Sequence, residues 1–188
     1  MNLELKPGDA LLVVDVQNDF CPGGHLEVAE GDQVVPVLNQ WLAAAIKAGA
    51  MVIASRDWHP VGHVSFQAQG GPWPDHCVQD TWGAEFHPDL QLPDGVVIVS
   101  KGTRFDEDAY SAFHNTGLGS YLKRQRVKRL FIGGLAQDIC VRDTVLSARK
   151  EGFEVVLLRA ATRPVDAEKG AEALRQMAAA GAEILDDL

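Results

Sequence analysis

The stretch Met51-Val-Ile-Ala-Ser55 decides the fold class, because it is an almost uninterrupted apolar run. A strand with one face in water alternates apolar and polar residues, whereas a strand covered on both faces reads as a continuous apolar run. The stretch therefore predicts a strand buried inside a parallel sheet. Similar short runs are found at residues 10–14, 96–100, 129–133, 154–158 and 182–185.

Amphipathic segments with helical spacing separate most of these runs. In residues 34–48, Val34, Leu38 and Leu42 share one helical face, and Gly49 provides a C-terminal stop. Further helices are predicted at residues 118–123, 141–150 and 166–180. This alternation predicts an α/β fold in which helices cover both faces of a single doubly wound, mainly parallel sheet of about six strands. We expect one domain over residues 1–188.

The composition narrows the class of protein. A formal net charge of −9 disfavours nucleic acids and anionic membranes as partners, since both attract basic surfaces. The chain has no apolar run of transmembrane length, and its first residues do not have the pattern of a secretory leader. Its three cysteines form no C-x-x-C pair, so we expect reduced thiols and a cytoplasmic location.

Chemically active side chains follow four of the predicted strands, where doubly wound folds bind their ligands. Asp15 follows the first strand, Asp57 the second and Lys101 the third. Cys140 follows the fourth near a helix start, where unpaired N–H groups favour a thiolate. Lys101 would lower the thiol pKa further, and Asp15 would carry the proton. The backbone N–H groups of Ala136 and Cys140 would hold an oxyanion.

A cluster of metal-binding residue types follows the second strand. Asp57 and His59 are two positions apart at a strand end, so both can face one ion. A turn through a proline and a glycine would bring His63 back, and His76 follows in the same long connection. Carboxylate and neutral imidazole suit zinc, manganese, iron or cobalt better than magnesium or calcium.

Both groups also have a purely structural interpretation, which spacing alone leaves open. Cys140 could be a small buried apolar residue, Asp15 a helix cap and Lys101 a solvated surface residue. The histidines could be separate surface or hydrogen-bonded residues.

Five motifs occur in a characteristic order along the chain. They are Asp15-Val-Gln-Asn-Asp-Phe-Cys-Pro-Gly-Gly24, Ser55-Arg-Asp-Trp-His-Pro-Val-Gly-His-Val-Ser-Phe66, Trp73-Pro-Asp-His-Cys-Val-Gln-Asp-Thr-Trp-Gly-Ala-Glu-Phe86, Lys101-Gly102 followed by Tyr110-Ser-Ala-Phe113, and Gly134-Leu-Ala-Gln-Asp-Ile-Cys-Val141. With them the chain resembles the nicotinamidases (pyrazinamidases) of the isochorismatase-like cysteine hydrolase superfamily over nearly its whole length. The second and third motifs are the most specific, because many members of the superfamily lack them.

The resemblance implies two groups of functional residues. The catalytic triad would consist of Asp15, Lys101 and Cys140. The ligands of one divalent metal ion would be Asp57, His59, His63 and His76. The ion would be zinc, with iron and manganese as the alternatives.

The resemblance also implies the residues that hold the substrate. Phe20 and Trp73 would stack on the two faces of a pyridine ring. Leu135 and Ala136 would lie at the substrate, and the peptide bond between them would be cis. The backbone N–H groups of Ala136 and Cys140 would form the oxyanion hole.

The implied activity is deamidation of nicotinamide to nicotinic acid and ammonia through a cysteine thioester, with the ion holding the pyridine nitrogen. Pyrazinamide would be a further substrate, the role would be NAD salvage, and a homo-oligomer would fit the family. The chain departs from the family pattern at Gln137, where threonine is frequent, and at Ile139, where an aromatic residue or histidine is frequent.

Three other functions are compatible with parts of the pattern. An enzyme of the same superfamily could act on another amide, carbamoyl or ureido substrate. A metal-binding or redox-sensing protein could use the same residues without turnover. A doubly wound binding module would leave the four predicted ligands unexplained.

Overall fold

The computed structural model describes residues 4–186 and contains one sheet of six parallel strands, which confirms the predicted fold class. The order across the sheet is β3-β2-β1-β4-β5-β6. The strands are β1 Asp9–Val14, β2 Met51–Asp57, β3 Val97–Lys101, β4 Arg129–Leu135, β5 Glu154–Arg163 and β6 Glu183–Leu185. The order reverses direction at β1, so the carboxyl ends of β1, β2 and β4 border the crevice at which such sheets bind ligands.

Four helices cover the two faces of the sheet. They are α1 Val34–Ala48, α2 Leu118–Arg124, α3 Arg142–Lys150 and α4 Ala167–Ala179. Alternate residues of β1 serve the two faces: Leu11 and Val13 pack in the core with α1, whereas Leu12 and Val14 pack with the other three helices. Every residue of β1 is buried, as the continuous apolar run predicts.

Several strands end later than predicted. β2 and β3 include Asp57 and Lys101 as their last residues, because these two residues pair directly across the sheet. β5 continues beyond the predicted end at residue 158, because extra residues between Leu157 and Thr162 shift its register against β4 and let Gly134 and Leu135 pair with Thr162 and Arg163. The strand therefore carries polar residues up to the functional edge of the sheet.

The predicted helix at residues 141–150 begins differently in the structure. A π-helical turn, Gln137–Val141, precedes α3 and contains Cys140. The peptide bond between Leu135 and Ala136 is cis, as predicted. Within residues 4–186, no helix combines the length and the apolar character that a membrane crossing requires.

Candidate active site

Asp15 directly follows the last residue of β1 and is fully buried. Its backbone has a φ of +48°, which is rare for a residue with a side chain. The hydroxyl of Ser55 in β2 donates a hydrogen bond of 2.7 Å to Asp15 Oδ1. Asp15 Oδ2 lies 2.8 Å from the Nζ of Lys101. The carboxylate is therefore held from two neighbouring strands.

Lys101 connects the groups at the strand ends. Its Nζ contacts Asp57 Oδ1 at 2.5 Å and Cys140 Sγ at 3.5 Å, besides the ion pair with Asp15. It also donates to the carbonyl of Ala109 at 3.3 Å. The side chain has no exposure to solvent. Oxygen and sulfur atoms of Asp15, Asp57 and Cys140 all lie within 4.8 Å of one another, so one ammonium serves all three.

The pKa of Cys140 differs from the sequence-based prediction. Burial raises the pKa of the thiol well above its usual value and outweighs the lowering effect of Lys101. Lys101 does lower this pKa, as predicted, but the net pKa of the thiol is raised. Burial also raises the pKa of Asp15, against the opposing effect of Lys101. Burial alone would lower the pKa of Lys101, but the carboxylates of Asp15 and Asp57 raise it well above normal. The lysine accordingly stays charged, and the raised pKa values of Cys140 and Asp15 both favour the protonated form of these groups.

Asp57, His59 and His76 form a second cluster, with donor atoms within 4.8 Å of one another. Hydrogen bonds between the backbones of His59, Cys77 and Gln79 hold the two loops together. Each ring Nδ1 faces a carbonyl oxygen, at 3.0 Å from His76 O for His59 and at 2.8 Å from Pro74 O for His76. Because a carbonyl can only accept, each Nδ1 carries the proton and each Nε2 has a free lone pair. Both Nε2 atoms lie 3.9 Å from the Asp57 carboxylate.

His63, the fourth predicted ligand, is placed differently. Its ring stacks on that of His59, with centroids 4.3 Å apart. The backbone N–H of Ser65 donates to His63 Nδ1 at 3.2 Å, so the proton lies on Nε2, which donates to the carbonyl of Glu107 at 3.0 Å. His63 forms a group with His59 and Asp108 instead of joining the Asp57 cluster. Both ring nitrogens are thus engaged.

A pocket that is open to solvent lies above these clusters. Its lining combines aromatic, aliphatic and polar side chains: Phe20, Leu26, Val28, Asp57, Trp73, His76, Asp108, Tyr110, Ala136, Ile139, Cys140 and Val165. The predicted substrate residues Phe20, Trp73 and Ala136 are in this set. Leu135, also predicted there, is fully buried in the core and does not line the pocket.

The sequence does not single out Leu26, Val28, Asp108, Tyr110 or Val165 as substrate contacts, and two of these lining residues are polar. Asp108 stands in an acidic run after β3, and no pattern distinguishes it from its neighbours. Tyr110 lies in one of the five motifs, which was the available signal. Its hydroxyl accepts a hydrogen bond of 3.1 Å from Trp73 Nε1 and so holds one aromatic wall in place.

The two departures from the family pattern have different positions. Ile139 lines the pocket and makes that part of its wall aliphatic. Gln137 is buried and bonds with Thr162 and Gly170, away from the pocket. Only Ile139 therefore bears directly on the shape of the pocket.

The sequence profile of the Isochorismatase domain matches residues 9–187, so this chain belongs to the isochorismatase family of hydrolases. Among curated relatives, the nicotinamidase of Escherichia coli (strain K12) is 39% identical over 201 residues, which cover 95% of this chain and 94% of the relative. The pyrazinamidase of Pyrococcus horikoshii in complex with zinc has a TM-score of 0.93 and 48% identity, with coverage of 96% and 100%. PnC1 from L. infantum in complex with nicotinate has a TM-score of 0.89 and 36% identity, with coverage of 98% and 96%.

Proposed function

We propose that the protein is a nicotinamidase, an amidohydrolase that converts nicotinamide into nicotinic acid and ammonia and also accepts pyrazinamide. The observation that carries the proposal is the position of Lys101, whose ammonium contacts Asp15, Asp57 and Cys140 beside one aromatic pocket. The activity in the names of the relatives and the nicotinate bound to PnC1 support a pyridine carboxamide as substrate.

Asp57, His59 and His76 fit a divalent ion. Within the described part of the chain, the buried Nε2 of His59 has no hydrogen-bond partner, and its lone pair faces the Asp57 side of the cluster. Burial lowers the pKa of His59, which favours the neutral form that a ligand needs. The donor set suits zinc, as in the complex of the P. horikoshii protein, or iron or manganese.

His63 would join these ligands by exchanging its hydrogen bond to Glu107 for the ion. When bound, the ion would hold the pyridine nitrogen and draw electron density from the ring, which makes the carboxamide carbon more electrophilic. The remaining chemistry is assigned to side chains and backbone groups of the chain itself.

Cys140 is the proposed nucleophile and Asp15 the proton carrier. Asp15 takes the proton of the thiol as sulfur attacks the amide carbon, and the raised pKa of Cys140 makes such a proton acceptor necessary. The charged Lys101 stabilises the developing thiolate and both carboxylates. The backbone N–H groups of Ala136 and Cys140 hold the oxyanion. Collapse breaks the C–N bond, Asp15 returns the proton to the departing ammonia, and a thioester remains.

Hydrolysis of the thioester repeats the same proton path. Asp15, again a carboxylate, takes a proton from water as the oxygen attacks the acyl carbon. The C–S bond breaks, the proton passes to Cys140, and nicotinic acid leaves. Through both steps Phe20 and Trp73 hold the ring by stacking, and the hydrogen bond from Trp73 to Tyr110 orients one of these walls.

The product indicates a role in the synthesis of pyridine nucleotides, so NAD salvage is part of the proposal. The three cysteines are unpaired, which suits a reducing compartment and a cytoplasmic location. The predicted homo-oligomer stays a prediction.

Ammonia release from nicotinamide tests the function. Pyrazinamide should also be hydrolysed, whereas benzamide, which has no ring nitrogen, and a ureido compound should be poor substrates. Chelation should abolish turnover, and added zinc should restore it. A protein that hydrolyses the ureido compound faster than nicotinamide, or that releases no ammonia from any amide, would contradict the proposal.

A further inference from the structure

The turn that carries Cys140 is fastened to the connection between β5 and α4 by a buried carboxylate. Asp138 Oδ1 accepts a hydrogen bond from the backbone N–H of Val165 at 2.9 Å, and Oδ2 accepts one from the N–H of Asp166 at 3.2 Å. Asp138 is only 3% exposed. The two oxygens therefore bind the amides of two successive residues in the irregular segment between β5 and α4.

A second contact reinforces this attachment. Gln137, the neighbour of Asp138, donates to the carbonyl of Gly170 in α4 at 3.0 Å and accepts from the hydroxyl of Thr162 in β5 at 2.8 Å. Gln137 thus bonds the turn to the elements on both sides of the connection between β5 and α4, and Asp138 bonds it to the connection itself.

The held segment forms part of the pocket. Val165 lines it together with Ile139 and Cys140, and the residue is 46% exposed, which is consistent with a position at the mouth. An exposed aliphatic residue on an irregular segment has little packing to fix it. Its position over the pocket consequently depends on its backbone, and Asp138 binds that backbone directly.

We propose that Asp138 is a positioning residue that holds Val165 against the pocket and so sets how tightly an amide substrate fits beside Cys140. The effect on substrate binding rests on the proposed function, whereas the attachment of the Val165 segment to Asp138 does not. Hydrogen bonds to a carboxylate are stronger than neutral ones, and two adjacent donors fix its orientation. An asparagine could accept only one of them, because its NH₂ group donates.

Asp166 provides a matched control in the same segment. Its side chain accepts from the backbone N–H of Lys169 at 2.8 Å and caps the N-terminus of α4, without contacting the turn of Cys140. Asp166→Ala therefore removes the N-terminal cap of α4 and keeps the backbone hydrogen bonds of residues 165 and 166 to Asp138. It reports what a loss of local stability alone does to the pocket.

Amide hydrogen exchange tests the attachment without any substrate. In Asp138→Ala, the amides of Val165 and Asp166 should exchange at least about 10-fold faster than in the unmodified protein, while the sheet amides keep their protection. In Asp138→Asn, the exchange rates of these two amides should lie between those of the unmodified protein and those of Asp138→Ala. In Asp166→Ala, fast exchange should be confined to the first turn of α4.

Kinetics test the effect on the pocket. Asp138→Ala should raise KM for nicotinamide about 10-fold and change kcat by less than about 3-fold, since it loosens binding and leaves the reacting groups in place. Asp166→Ala should leave KM unchanged. Val165→Ala should also raise KM, and in that background Asp138→Ala should add less than about 2-fold, because both act on the same contact.

The possible failures are separable. Unchanged exchange at Val165 in Asp138→Ala, or fully multiplicative effects in the double variant, would overturn the inference. An unmodified protein that releases no ammonia from nicotinamide would contradict the proposed function, while hydrogen exchange would still decide whether Asp138 holds the segment.

Discussion

Lys101 and Asp15 form an ion pair that is completely shielded from solvent, with Nζ and Oδ2 2.8 Å apart. The same ammonium contacts Asp57 and Cys140, so a single buried cation touches two carboxyl groups and the thiol. A buried pair is weak support for stability in itself, but removal of one partner leaves an uncompensated charge. Lys101 is therefore the residue on which both the electrostatics and the proposed chemistry depend.

We expect Lys101→Met to lower the free energy of unfolding by about 3–5 kcal/mol, because Asp15 and Asp57 would share the site without a cation. Urea denaturation measures this effect. Combination with Asp15→Asn should recover part of the loss. Lys123→Met, which removes an exposed pair with Glu151, should cost less than about 1 kcal/mol. An equal loss of unfolding free energy in Lys101→Met and Lys123→Met would contradict the conclusion that Lys101 compensates buried charge.

The acid side of the pH–rate profile should report Asp15. The pKa of this carboxyl is raised in the folded protein, so the proton-accepting carboxylate is lost at a higher pH than for an exposed aspartate. The hydroxyl of Ser55 lowers this pKa by donating to the carboxylate. Ser55→Ala should therefore raise the pKa and shift the acid limb of kcat/KM to higher pH. A shift to lower pH would count against Asp15 as the proton carrier.

Metal content should separate the histidines. His59→Ala should weaken zinc binding by at least about 100-fold, because it removes an oriented ligand with a free Nε2. His63→Ala should weaken it less, since His63 is bonded to Glu107 and Ser65. Competition with a chelator, followed by elemental analysis, measures both affinities. Greater loss in the His63 variant would reverse the proposed order of importance.

Alkylation should distinguish the three cysteines. Burial raises the pKa of all three thiols, to about 11 for Cys21 and well above normal for Cys77 and Cys140, so access to the pocket is what distinguishes them. Neither Cys21 nor Cys77 lines the pocket, whereas Cys140 does and has Asp15 nearby as a proton acceptor. Iodoacetamide at pH 8 should modify Cys140 first, with parallel loss of activity, and nicotinate should protect it. Peptide mass spectrometry identifies the site; prior labelling of Cys21 would be inconsistent with this account.

The sequence could predict the fold and the grouping of polar residues because both depend on where the strands lie along the chain. Apolar runs define the strands, and the carboxyl ends of parallel strands meet at one edge, which brings Asp15, Asp57, Lys101 and Cys140 together. The pairing of Asp57 with Lys101 at the last residues of β2 and β3 is the structural result.

Properties that depend on how deeply a side chain is buried, or on how its ring is oriented, could not be predicted in this way. The sequence indicates that Lys101 is near Cys140 but not how completely the thiol is buried, and burial decides the direction of its pKa. His63 is close in sequence to His59, yet hydrogen bonds with the neighbouring Ser65 and with Glu107 of a distant segment direct its ring nitrogens elsewhere. These outcomes depend on contacts between segments that no local pattern encodes.

The central claim is that Cys140 carries the acyl group during turnover. It is tested most directly by acid quenching of the zinc-loaded protein during nicotinamide hydrolysis and mass spectrometry of the Cys140 peptide, with Cys140→Ala of equal zinc content in parallel. We predict a nicotinoyl adduct on Cys140 in the unmodified protein and no ammonia release by the variant. Substantial ammonia release by the Cys140→Ala protein would contradict the account.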